Sequence, residues 1–214
     1  MGNHIVCDNY YCQSIHYKPD WISKQFYHFL VDDKNTKYSL DKGTLSILPS
    51  QSISLLFQKK LNIDFSIYEF ILPIHFQIDF PHPLHLFILF TPTPITSPNI
   101  SSFLSYQNSH DSFFSHLTFH HNSFQIHYSN LDTSFQGKIH SSKKYIYTLH
   151  FKEIQTKNPM LTHSFESKSK KKISHFDSPL SPFTFIQQKE IFLSVFIFSS
   201  NPFLSTHSCQ MNFD

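Results

Sequence analysis

The stretch LNIDFSIYEFILPIHFQIDF, residues 61–80, decides the fold class. Leu61, Ile63, Phe65, Ile67 and Ile71 share one parity, while Asn62, Asp64 and Ser66 take the other. That two-residue alternation belongs to a strand buried on one face. After Pro73 it restarts as Ile74, Phe76, Ile78 and Phe80, opposed by His75, Gln77 and Asp79. Proline has no N–H to give a ladder, so Pro73 is expected at a bulge, an edge or a strand boundary. Helical spacing fits poorly, because it would put Asp64, Ser66 and Asp79 on the apolar side.

Working outward, residues 21–31 alternate loosely and DDKNTK at 32–37 supplies a charged turn. Residues 38–47 read as two short strands around Asp41-Lys42-Gly43, with 53–57 pairing beside them. From Leu84 to Phe90 the pattern is apolar at Phe87 and Leu89 as well as at Leu86 and Ile88, which implies a strand covered on both faces. TPTPITSPN at 91–99 is a loop.

Residues 113–120 and 123–128 form a hairpin across His121-Asn122, with Leu117, Phe119, Phe124, Ile126 and Tyr128 inward. Residues 135–139 are expected to pair with 145–154, which place Tyr145, Tyr147, Leu149 and Phe151 on one face. Residues 156–182, containing KSKKK at 168–172, read as a loop. The last strong strand is 191–198, and 211–213 closes the sheet. About a dozen short strands and no long helical period imply an all-β chain, a two-sheet antiparallel β-sandwich of jelly-roll-like form. The length of 214 residues suits one such domain over residues 21–214, preceded by a polar N-terminal arm over residues 1–20.

Composition narrows the function classes. The chain has no Ala, no Arg and only 3 Gly, where about 15 Gly would be usual, but 25 Phe and 16 His. A guanine-poor coding strand leaves this pattern, so His abundance alone is no sign of chemistry; ordinary guanine content in the gene would remove that explanation. A net charge of +2, all of it from Lys, disfavours sequence-specific nucleic-acid binding, which relies on bidentate guanidinium contacts. So little Gly leaves no phosphate-cradling loop and no G-x-S-x-G nucleophile turn. Three Cys without a disulfide spacing and a start lacking an apolar h-region suit an intracellular protein with no evident signal peptide. The longest apolar run, 191–198, is far below the roughly 20 residues of a transmembrane segment.

Several segments carry a family resemblance: LDKGTLSI at 40–47, NIDFSI at 62–67, YIYTL at 145–149, FLSVFIFSSNP at 192–202 and NFD at 212–214. In this order, over about residues 38–214, they resemble the concanavalin A-like lectin/glucanase superfamily. The resemblance implies a jelly-roll sandwich that binds carbohydrate, or hydrolyses glycans, on one sheet face. The chain departs from the hydrolytic members: it has no Glu-x-Asp-x-x-Glu strand, and Glu69 stands without a matched carboxylate. Glycoside hydrolysis usually needs two carboxylates across the scissile bond.

The expectation is therefore a non-catalytic, lectin-like binding module with carbohydrate as its ligand. Alternatives are a structural or assembly protein that self-associates as a jelly-roll subunit, a glucanase-type hydrolase, and a product of a biased gene with no selected activity. The candidate ligand surface comprises Trp21, the row His75, Gln77 and Asp79, and the row His116, His120 and His127, with Thr118 and Gln125 beside the latter. The bland reading of both rows is the solvent side of an antiparallel sheet. No cofactor is required, although His4, Cys7, Cys12 and His16 form H-x2-C-x4-C-x3-H, a donor set that zinc accepts. KSKKK could meet phosphates or an anionic membrane, or simply keep a Phe-rich chain soluble.

Overall fold

The alternation of apolar and polar residues becomes sixteen strands among the described residues. In chain order these are β1 (Asn3–Cys7), β2 (Tyr10–His16), β3 (His28–Val31), β4 (Tyr38–Asp41), β5 (Thr44–Ile47) and β6 (Ile53–Asn62). Then come β7 (Ile67–Asp79), β8 (Leu84–Thr91), β9 (Phe113–His120), β10 (Ser123–Tyr128) and β11 (Phe135–Lys138). Last are β12 (Tyr145–Lys152), β13 (Met160–Ser167), β14 (Lys172–Pro179), β15 (Glu190–Ser199) and β16 (Ser208–Asn212). The structure is a computed structural model that describes residues 3–7, 10–16, 28–31, 38–41, 44–62, 67–96, 99–109, 112–128, 135–140, 143–152, 160–167, 172–179 and 190–212.

The strands make two facing sheets, an all-β sandwich. One has nine strands, in the order β14-β13-β12-β7-β16-β5-β4, with the β1–β2 hairpin joined to β7 through β2. The other has seven, in the order β11-β10-β9-β8-β15-β6-β3. All pairings are antiparallel except β2 with β7.

Strand β7, from the stretch that decided the fold class, lies in the middle of its sheet. It pairs with β12 over Phe70 to Phe76 on one edge. On the other edge it meets β2 up to Ile71 and β16 from His75 onward. Pro73 falls in the gap between those two partners, where an interruption of the ladder is tolerated. The strand therefore runs unbroken through the proline, and the expected boundary belongs to its partners. Parity holds after Pro73, where Ile74, Phe76, Ile78 and Phe80 are all buried. Before it the expectation fails, since Leu72 is the buried residue, Ile71 falls on the half-buried side, and Leu61 belongs to β6 of the other sheet.

Four other expectations need correction. Residues 53–57 do not pair with β5; they lie in β6 of the opposite sheet, between β15 and β3. The chain changes sheets across residues 48–52, where Ser50 and Phe203 exchange backbone hydrogen bonds of 2.8 Å each. Strand β11 pairs with β10, whereas β12 sits between β7 and β13 in the other sheet. The segment 156–182 is not all loop, since it holds β13 and β14. Strand β16 is inserted between β7 and β5 instead of finishing an edge.

The main core lies between the sheets and is rich in rings. Phe124 of one sheet stacks on Phe165 of the other at 3.9 Å, and Phe76 meets Phe119 edge-on at 4.8 Å. Such pairs contribute about 0.5–1.5 kcal/mol beyond the area they bury. A polar chain crosses this core: the Tyr147 hydroxyl lies 3.1 Å from Ser115 Oγ and 3.0 Å from His163 Nδ1.

A second, smaller core forms on the outer face of the seven-stranded sheet. Leu56, Phe87, Leu89, Phe114 and Phe196 are covered there by Ile95 and by Phe103 of α1 (Ile100–Ser105). Phe103 stacks on Phe196 at 4.3 Å. Asn99 starts the helix, its Oδ1 accepting from the Ser102 N–H at 2.8 Å. This cover explains why β8 is apolar on both faces, as its sequence implied. No helix among the described residues is long and apolar enough to cross a membrane.

Candidate functional site

Cover by α1 reaches only part of that outer face. Leu117, Phe119, Phe124 and Ile126 of the β9–β10 hairpin are buried between the sheets. Alternation then sends His116, Thr118 and His120 of β9, and Ser123, Gln125 and His127 of β10, to the outer side. Register arranges them in cross-strand rows. His116 lies between His127 and Phe87, and Thr118 between Gln125 and His85. Ser123 lies between His120 and Lys138, and Gln125 pairs onward with Gln136. Neighbouring strands are about 4.8 Å apart and same-face residues about 6.8 Å, so these side chains form a polar grid.

The grid is ordered by direct contacts. The His116 ring stacks on Phe87 with centroids 4.2 Å apart and planes 9° from parallel. His116 Nε2 lies 2.9 Å from His85 Nδ1, and Thr118 Oγ1 is 3.2 Å from the former and 3.4 Å from the latter. Burial pushes His116 down to about 3, and the charges of His85 and His127 add to that effect. His85 is lowered as well, by burial first and by His120 second. Both rings are therefore neutral at pH 7, and each neutral imidazole has one donor and one acceptor nitrogen. Beside them is a depression of about 520 Å³ lined by His120, Ser123, Gln125, Gln136 and Lys138.

The other expected row lies on the opposite side of the molecule. His75 and Gln77 project from the outer face of the nine-stranded sheet, into a shallow depression of about 180 Å³ shared with Thr44, Lys144 and Gln210. Asp79, at the end of β7, stands 4.0 Å from His121 in the β9–β10 turn. The two rows thus form two separate surfaces and not one, because each is on the outward face of a different sheet. Trp21 lies outside the described residues, as do residues 168–171 of the lysine run. Of the zinc-type set, His4 and Cys7 fall on β1 and Cys12 and His16 on β2, with their side chains outside the described part. Among the described residues, no three His, Cys, Asp or Glu side chains gather closely enough to hold a metal.

Sequence reasoning missed His85, Gln136 and Lys138. His85 had a usable signal, since it is the one polar outward position between Leu84 and Phe90. Gln136 and Lys138 had none, because their place depends on β11 pairing with β10.

No family model matches the chain, and no curated protein sequence matches it. Solved structures do. The legume lectin-like domain from Entamoeba histolytica superposes with a TM-score of 0.59 at 7% identity, covering 87% of each chain. A marine PL-14 alginate lyase from Aplysia kurodai gives 0.55 at 10% identity, over 89% of each chain. The metal-free carbohydrate recognition domain of Emp46p gives 0.51 at 10% identity, over 87% of this chain and 86% of that one. At such identities the likeness concerns architecture alone. The chain has the concanavalin A-like, lectin-like sandwich fold.

Proposed function

We propose that this is a non-catalytic binding module for carbohydrate, with its site on the uncovered part of the seven-stranded sheet's outer face. The observation that carries the reading is the polar grid of His85, His116, Thr118, Gln125 and His127. Sugar hydroxyls both donate and accept hydrogen bonds, and neutral imidazoles, a hydroxyl and an amide do the same. The stack of His116 on Phe87 fixes one ring and keeps it from reorienting when a ligand arrives. A lectin-like fold in two neighbours of this architecture supports the choice of ligand class.

A glycan array probed with the full-length chain tests the reading, after a cooperative thermal transition has been recorded. Reproducible binding that falls at least tenfold in Gln125→Ala, with an unchanged melt, is the expected result. A folded chain that retains no glycan overturns it.

A further inference from the structure

We infer that the saccharide taken here is acidic, and that its carboxylate or sulfate sits against the row His120, Ser123 and Lys138. This rests on the carbohydrate reading above and narrows it to a substrate class. The three residues occupy adjacent strands in register, His120 opposite Ser123 and Ser123 opposite Lys138. They line the depression of about 520 Å³ together with Gln125 and Gln136.

Every polar side chain in that lining can donate a hydrogen bond: an ammonium, an imidazole N–H, a hydroxyl and two amides. No lining residue is acidic. Asp79, at the end of β7, stands against His121 in the turn and does not line the depression. An anion accepts hydrogen bonds and donates none, so this lining complements it, and Lys138 adds the charge that makes such bonds stronger. His120 and Lys138 are exposed, which leaves the row open to a ligand. The neighbouring His85 and His116 are neutral, so they serve the uncharged part of the sugar and leave charge selection to Lys138.

The test titrates the full-length chain with three oligosaccharides of equal length, one bearing uronic acids, one sulfated and one neutral, at low and at high salt. The result expected is about tenfold tighter binding of one or both acidic sugars, and whichever is preferred identifies the anion. That preference should weaken with salt, collapse in Lys138→Gln and survive in Lys138→Arg. Equal affinity for the neutral sugar overturns the inference and leaves the carbohydrate reading standing. An acidic preference untouched by Lys138→Gln overturns the placement of the anion. Binding of none of the three, or of any array glycan, removes both.

Discussion

A single cross-strand row on the seven-stranded sheet passes from a polar surface into a closed core. It runs from His127 and His116 through Phe87 and Phe196 to Leu56. Backbone and sheet face are the same throughout, and only the side chains change. At the apolar end α1 lays Phe103 on Phe196; at the polar end the face carries half-buried and exposed side chains. His116 is the seam, stacked on Phe87 yet hydrogen-bonded to His85. One sheet face thus serves as a core where it can exclude water and stays polar where it cannot.

The sharpest way to break this contrast is to remove the cover. Phe103→Ala should destabilise the fold by about 3–5 kcal/mol, the usual effect of deleting a buried ring. A chemical denaturation curve gives the value, and a change below about 1 kcal/mol would mean that α1 does not seal a second core.

Acid should act next most strongly. His116 and His163 are each held near 3, both chiefly by burial, with Asp177 opposing the effect at His163. Below the ordinary histidine value of 6.5, the unfolded chain binds protons that the native rings refuse. Stability is therefore greatest above pH 6.5 and declines as the pH falls toward 3. Two such groups predict a loss of roughly 2–4 kcal/mol between pH 7 and pH 5. His116→Gln should remove a share of that slope, whereas a flat profile in the parent chain would contradict the burial of both rings.

The helix cap gives a smaller effect. Asn99→Ala removes the acceptor for the Ser102 N–H and should cost about 1 kcal/mol. If the loss reached that of Phe103→Ala, the cap and not the ring would be what holds the cover in place.

The hairpin of β9 and β10 was legible in the sequence because strict alternation flanks His121-Asn122, and Leu117, Phe119, Phe124 and Ile126 fell inward as expected, the side chain of Tyr128 lying outside the described part. The row from Tyr145 to Phe151 was legible for the same reason. Pairing between distant strands was not, since alternation tells which way a side chain points and not which strand lies beside it. That is why β6 was placed in the wrong sheet, and why Lys138 and Gln136 were absent from the expected site. Strands β13 and β14 were hidden by composition: His163, Ser164 and Glu166 interrupt the apolar signal, and the lysine run nearby reads as solvent. His85 meets His116 across 31 residues of chain, a contact that only the β8–β9 register creates.

Under the proposed function the polar end of the seven-stranded sheet, and not the opposite face of the sandwich, holds the ligand. The most direct measurement is a binding isotherm for an array-selected saccharide on two double variants, each checked for an unchanged melt. Gln125→Ala with His127→Ala should abolish measurable binding, while His75→Ala with Gln77→Ala should leave the affinity within about twofold of the parent. The reverse pattern would put the site in the depression on the nine-stranded sheet and contradict the account.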